Sequence, residues 1–185
     1  MLGVTGTQSA IWKNLREMLP SSEKLFEANA GTIPLDLDRY LICTGFLAGK
    51  ALRDISDPDA IATWMINYVH VAQLCDRIFE ANDLARIVVL GSESGFAGSH
   101  DMAYAGAKAA LHLYIRTKEL FRTQMLIGIA PHIISDSGMT ERRSDYAATI
   151  ARGAGTRLGR WITAREVAKV AHWALYEASS FSSNT

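Results

Sequence analysis

Short apolar runs of strand character alternate along the chain with stretches of helical periodicity. That alternation restricts the fold more than any other feature. The strand runs cover residues 2–5, 24–28, 40–44, 86–91 and 125–130, and residues 9–19, 58–81, 102–121 and 163–178 read as helices. Within the second helix Ile61, Trp64, Met65, Val69 and Val71 recur at helical spacing, and Asp57-Pro58 suits its first turn, as N-cap acceptor and first helical residue. The last helix opens on Thr163 with Glu166 three residues on, the pattern of a capping box. Strands of four to seven residues separated by helices build βαβ units, and such units form a parallel sheet covered on both faces. The expectation is a doubly wound α/β sheet of five or six strands, occupying 1–185 as one domain. Residues 21–40 leave room for one strand and a connector only, so the region after the first helix is abbreviated.

Composition narrows the partners. The 185 residues carry 19 basic and 19 acidic side chains, a formal net charge of zero, which argues against nucleic acid as a partner. Hydrophobic residues make up 49%, yet no apolar run approaches a membrane span. Met1 runs almost directly into strand-like Leu2-Gly3-Val4, so no secretory signal is expected. Cys43 and Cys75 stand in apolar surroundings and read as reduced thiols of a cytoplasmic protein.

Sheets of this kind bind ligands beyond the carboxyl ends of their strands. Four such ends carry small or polar residues: Thr5-Gly6, Cys43-Thr44-Gly45, Gly91-Ser92 and Ala130-Pro131. The richest is the third. A buried-type strand runs into Gly91-Ser92-Glu93-Ser94-Gly95, followed by Tyr104-x-x-x-Lys108 among Ala103, Ala105, Gly106, Ala107, Ala109 and Ala110. Tyr104 and Lys108 fall one helical turn apart on one face. An ammonium beside a phenol favours the phenolate and is expected to lower its pKa, so that Tyr104 exchanges a proton near neutral pH. Ser92 can hydrogen-bond a substrate oxygen as charge develops on it. Ser94 is the alternative, because the gap from Ser92 to Tyr104 is short. Glu93 at the centre of the turn excludes a nucleophile elbow.

With this set in place, the chain resembles the short-chain dehydrogenase/reductases over nearly its whole length. Their first loop reads T-G-x-x-x-G-x-G. Here Thr5-Gly6-Thr7-Gln8-Ser9-Ala10-Ile11-Trp12 keeps the first glycine, with Ala10 and Trp12 in place of the other two. The resemblance implies a Rossmann-like fold and NAD or NADP as cofactor, held by Gly6, Thr7, Gln8, Ile11, Glu27, Gly45 and Pro131 together with Tyr104 and Lys108. Glu27 at the second strand end can hold a ribose diol and repel a 2′-phosphate, which leans to NAD; otherwise it is a solvated surface glutamate. Trp12 implies a shifted helix, a side chain turned away, or weakened cofactor binding. Gly45 alone matches the family's N-A-G strand end, with Cys43 a small core residue. Asn67, mid-helix, matches an asparagine that holds a water in a proton relay to the lysine; the alternative is an amide tying the helix to a neighbouring strand. His132 replaces the glycine of the family's Pro-Gly and either lines the site or is a polar turn residue.

Residues 136–160 are placed like the family's substrate lid. Arg142, Arg143, Arg152, Arg157 and Arg160 suit an acidic or phosphorylated small molecule, or else simply face solvent. The family continues beyond Phe181-Ser-Ser-Asn-Thr185 with a further strand and a glycine-rich tail. The resemblance thus implies an oxidoreductase moving hydride between a nicotinamide cofactor and an alcohol or ketone, with Asn67, Ser92, Tyr104 and Lys108 catalytic. It also implies a homodimer or homotetramer joined through the helices at 58–81 and 102–121. The competing reading is a non-catalytic scaffold, supported by Ala10, Trp12 and the abbreviated middle.

Overall fold

The computed structural model describes residues 1–29, 31–121, 123–143 and 145–179; the tail from Phe181 onward lies outside them. Five parallel strands, β1 (Leu2–Thr5), β2 (Leu25–Glu27), β3 (Arg39–Ile42), β4 (Arg86–Leu90) and β5 (Met125–Ile129), lie in the order β2-β1-β3-β4-β5. The chain moves outward in one direction to β2 and in the other from β3 to β5. The strand order therefore reverses between β1 and β3, where doubly wound sheets hold their ligands.

The helices in chain order are α1 (Ala10–Arg16), α2 (Asp57–Trp64), α3 (His70–Ala81), α4 (Ser94–Ala97), α5 (Met102–Thr117), α6 (Gly138–Glu141), α7 (Tyr146–Arg152) and α8 (Ala164–Tyr176). Each sheet face has its own core. On one, Trp12 and Leu15 of α1 and Val167, Ala168, Ala171 and Leu175 of α8 pack on Leu2, Val4, Leu41 and Val88. On the other, Leu74, Cys75 and Ile78 of α3 and Leu111 and Ile115 of α5 pack on Tyr40, Ile42, Ile87 and Val89. At this size such burial is the main source of stability.

The abbreviated stretch closes this second face without a helix. Ile33 and Leu37 are buried there, and Tyr40 accepts the amide hydrogen of Leu37 while donating to the carbonyl of Pro34. Gly3 makes the fit possible, since a Cβ there would stand 2.8 Å from Ile33 and 2.9 Å from Leu37.

Two local expectations need correction. The N-cap of α2 is Ser56, not Asp57: its hydroxyl accepts from the Asp59 amide, and Asp57 and Pro58 form the first turn. The long helix also does not run evenly to Ala81. A π turn over Met65–Val69 separates α2 from α3, and such turns displace the residues they contain from the regular helical ladder. The capping box at Thr163 and Glu166 forms as expected.

Candidate active site

Most functional residues named from the sequence are placed by a strand end or by the face of α5; Ile11 lies in α1 and Asn67 in the π turn between α2 and α3. At β1, Gly6 has φ +72°, and a Cβ on it would lie 2.5–2.7 Å from the backbone of Cys43 and Thr44. Glycine is thus required by the closeness of the β1 and β3 turns to each other. The Thr44 hydroxyl donates to that of Thr5 across the same gap, 2.8 Å. Thr7 is half-buried and Gln8 exposed at this end, while Ser9 caps α1 by accepting the Ile11 amide.

Ile11 and Glu27, the last residue of β2, both have partners within the protein. The Ile11 side chain is in the core, and its amide is engaged by Ser9. Glu27 pairs in register with Val4, two residues short of Gly6, and its carboxylate meets Arg16 of α1 at 3.2 Å. Trp12 is turned fully into the core, 1% exposed between α1, the sheet and α8.

Asn67 lies in the π turn and is completely buried. Its amide nitrogen donates to the carbonyls of Phe46 and Thr63, and its amide oxygen accepts the Phe46 amide hydrogen. The side chain therefore ties the helix to the loop after β3, nearer to the tethering alternative than to a free relay group. Gly45 lies beneath this clamp: a Cβ there would be 3.4 Å from the Asn67 oxygen and 3.2 Å from the Met139 methyl of α6. Segment 136–160 thus reaches across the end of the sheet to the β3 turn.

Ser92, Tyr104 and Lys108 converge beyond β4. Asp101 starts α5 by accepting the Tyr104 amide at 2.9 Å, and its other oxygen accepts the Gly49 amide, also at 2.9 Å. Lys108, 3% exposed, donates to the Leu90 carbonyl at 2.8 Å, with its ammonium 5.8 Å from the Tyr104 ring centre. Burial lowers the Lys108 pKa to about 8. Burial raises that of Tyr104, a hydrogen bond with Ser92 opposing it. The net shift is thus opposite to the expected lowering by Lys108: burial is its largest cause, and the nearby Asp101 carboxylate adds to the rise. The neighbouring Cys43 thiol, pushed up to about 12 by burial, is a neutral wall of the site.

Ser92, rather than Ser94, is the hydroxyl on Tyr104; the Ser92 oxygen also accepts the Ser94 amide. On the β5 side, the carbonyl of Pro131 accepts the Glu93 amide, and His132 sits 2.7 Å from the Glu93 carboxylate with its ring on Trp161. His132 thus clasps the β4 and β5 turns to the end of segment 136–160. The arginines of that segment are largely engaged: Arg143 and Arg152 share Asp145, and Arg160 forks onto Glu166. The argument for an acidic or phosphorylated substrate weakens accordingly. No group of acidic, cysteine or histidine side chains among the described residues could hold a metal ion.

Two residues escaped the sequence reading. Asp101 had a usable signal, an aspartate just before an alanine-rich helix. His112 had only its spacing of four from Lys108.

Comparison with solved structures gives the fold a context. The chain superposes on a short-chain dehydrogenase/reductase from Brucella melitensis described as a glucose/ribitol dehydrogenase, with TM-score 0.82, 23% identity, and 99% and 91% of the two chains covered. A ligand-free aldohexose dehydrogenase of Thermoplasma acidophilum matches with TM-score 0.83 and 12% identity over 100% and 90%. A 3-oxoacyl (acyl-carrier-protein) reductase of Agrobacterium tumefaciens with NADP bound matches with TM-score 0.80 and 16% identity over 99% and 90%. No family model and no curated protein matches the sequence. At these identities the likeness establishes the fold.

Proposed function

We propose that this chain, which has the short-chain dehydrogenase/reductase fold, is an NAD(P)-dependent oxidoreductase acting between an alcohol and a ketone of a small molecule. The observation that carries the reading is the convergence of Ser92, Tyr104 and Lys108 at the β4 end, beside the reversal of strand order. Gly6, Thr7, Gln8, Gly45 and Pro131 surround that reversal at three further strand ends, and with Tyr104 and Lys108 they would hold a nicotinamide dinucleotide. Glycine at 6 and 45 and a buried cation at 108 suit close approach of a polar ligand. When bound, the cofactor supplies or takes the hydride.

The residues themselves manage the oxygen and the proton. Tyr104, kept protonated at neutral pH by burial, donates its phenolic proton to the substrate oxygen in the reducing direction. Ser92 donates a hydrogen bond to the same oxygen as negative charge gathers there. The Lys108 ammonium stabilises the phenolate that remains. Asn67 and Asp101 hold the β3 loop, the first at Phe46 and the second at Gly49. Segment 136–160 covers the site as a lid, and the domain spans the chain. Free Cys43 and Cys75 suit the cytoplasm, and no helix among the described residues is long and apolar enough to cross a membrane.

A homodimer or homotetramer is also part of this reading, but through other side chains than first expected. Leu74, Leu111 and Ile115 are consumed by the sheet face. Ile61 and Trp64 of α2 and Met102 and Leu113 of α5 remain exposed, and Gly106 lets Trp64 lie against α5. A scaffold without catalysis is the second reading, favoured by Ala10 and by Trp12 filling the core at the place of the third glycine. Titration with NADH and NADPH followed by fluorescence, then cofactor oxidation against a panel of ketones and sugars, separates the two. Binding with turnover of at least one carbonyl is expected. Failure to bind either cofactor would overturn the oxidoreductase reading in favour of the scaffold.

A further inference from the structure

The face of α5 that carries Tyr104 and Lys108 continues, one turn on, to His112. Its side chain is 8% exposed. Nε2 accepts the backbone N–H of Ser92 at 3.3 Å. The Phe96 ring stacks on the imidazole with centroids 4.2 Å apart. The turn after β4 is shaped around this ring: a Cβ at Gly91 would stand 2.5 Å from Nε2, and one at Gly95 would stand 2.7 Å from Nδ1. Both positions exclude any side chain while the imidazole is in place.

The two ring nitrogens are not equivalent. The Ser92 N–H can only donate, so Nε2 is an acceptor and the neutral ring carries its proton on Nδ1. Reversing the ring would put a carbon against that amide, so the hydrogen bond also fixes the orientation. Nδ1 is buried and has no hydrogen-bond partner among the described residues, which is costly for a buried donor. All the hydrogen bonding of this ring is thus directed to one group, the amide of the residue whose hydroxyl meets Tyr104.

We propose that His112 is a positioning residue: as the neutral Nδ1–H tautomer it holds the Ser92 backbone, and through it sets the Ser92 hydroxyl against Tyr104. An imidazolium has no lone pair for the Ser92 amide, so protonation releases the tether. The charges around the ring oppose that event. Lys108 and Arg116 on α5 are cations, and Glu93, the acid of the turn packed against the ring, is held by His132 from the β5 side. Burial, and then the two cations, keep the His112 pKa below its ordinary value. The consequence for catalysis rests on the oxidoreductase reading; the tautomer and the tether do not.

Long-range proton–nitrogen NMR of histidine-labelled protein reads the tautomer directly, and amide hydrogen exchange reads the tether. The wild type is expected to show His112 with a protonated Nδ1, an acceptor-type Nε2 and no titration at the usual histidine pH, with a slowly exchanging Ser92 amide. His112→Gln, whose amide oxygen can reach the place of Nε2, keeps that protection; His112→Leu, of similar bulk without an acceptor, loses it. On a carbonyl turned over by the wild type, His112→Leu lowers kcat about tenfold, roughly the worth of one hydrogen bond. KM for the cofactor is unchanged, and His112→Gln restores part of the rate. An Nε2–H tautomer in the wild type, or a Ser92 amide equally protected in His112→Leu, overturns the proposal; the first needs no variant to fold. A verified tautomer and tether in a protein that reduces no carbonyl overturns the oxidoreductase reading, and with it only the catalytic half of the proposal.

Discussion

The Lys108 ammonium lies 5.8 Å from the centre of the Tyr104 ring and donates its hydrogen bond to the Leu90 carbonyl. Burial acts on the pair in opposite directions, raising the phenol and lowering the ammonium to about 8. Both groups are therefore driven toward their neutral forms. Before proton transfer that suits a phenol acting as acid; after it, the ammonium faces a phenolate and the pair is stabilised by mutual attraction.

Tyr104→Phe keeps the ring and removes the proton. Turnover should fall by about 10²–10⁴-fold, the usual worth of a general acid, while NAD(P)H affinity in a fluorescence titration stays within about twofold, well under the 1.4 kcal/mol of a tenfold change. Activity close to wild type would remove Tyr104 from its assigned role.

Lys108→Met should reveal the cost of burying the ammonium. A lysine whose folded pKa is depressed binds fewer protons folded than unfolded, so its penalty is complete below the folded pKa and absent above the unfolded one. Between pH 10.5 and pH 8 the stability of the variant relative to wild type should thus rise, by roughly 3 kcal/mol at most. The Leu90 carbonyl, left without its donor, offsets about 1–3 kcal/mol of this at every pH. Denaturant melts of both proteins across that range give the slope; a pH-independent difference would show that the ammonium is not desolvated as the fold implies.

Asp101→Ala should loosen two elements at once. Its carboxylate caps α5 at Tyr104 and holds the Gly49 amide 52 residues away. Loss of the cap costs about 1 kcal/mol. Asp101→Asn, whose single amide oxygen cannot accept both N–H groups as the carboxylate does, should retain the cap and free the 45–50 loop. Hydrogen exchange at Gly49 in Asp101→Asn, faster than in wild type with an unchanged Tyr104 amide, checks this division.

Much of the fold was legible because alternation of strand and helix is a local property: four of the five strand runs contain the observed strands, and the run at 40–44 overlaps β3, which begins one residue earlier at Arg39. Tyr104 and Lys108 were legible because a helix places residues four apart on one face. What escaped depends on contacts between distant segments. The direction of Trp12 is decided by α8, that of Glu27 by Arg16 and the register of β2, and the engagement of Arg160 by Glu166. The sign of the Tyr104 shift needed its burial. His112 becomes meaningful only with Gly91 and Gly95, whose clearance is visible in three dimensions alone.

Ile61→Glu combined with Leu113→Glu should break self-association. Both side chains are exposed in the isolated chain, on the helices α2 and α5 that pack side by side through Trp64 and Gly106. A charge brought into a two-fold contact is desolvated at a cost of several kcal/mol, whereas on an exposed face it is tolerated. Sedimentation at micromolar concentration should show the wild type as a dimer or tetramer and the variant as a folded monomer. A monomeric wild type would remove the oligomer from the reading.

Trp12 separates a core residue from a damaged loop. Its indole, 1% exposed, belongs to one continuous core cluster with Leu15, Leu2, Val4 and the α8 side chains Val167, Ala171 and Leu175. Trp12→Ala therefore opens a cavity between α1 and α8 and should cost about 3–5 kcal/mol. Trp12→Phe, which keeps an aromatic ring in the same layer, should cost less than half of that. Because the side chain points away from the β1 turn, Trp12→Phe should leave NAD(P)H affinity within about twofold of wild type, small against the tenfold that 1.4 kcal/mol represents. Thermal melts and a fluorescence titration on that variant test the two halves together. A gain in affinity of several fold with little loss of stability would mean that the indole presses on the cofactor loop, and that α1 sits closer to the sheet once it is removed.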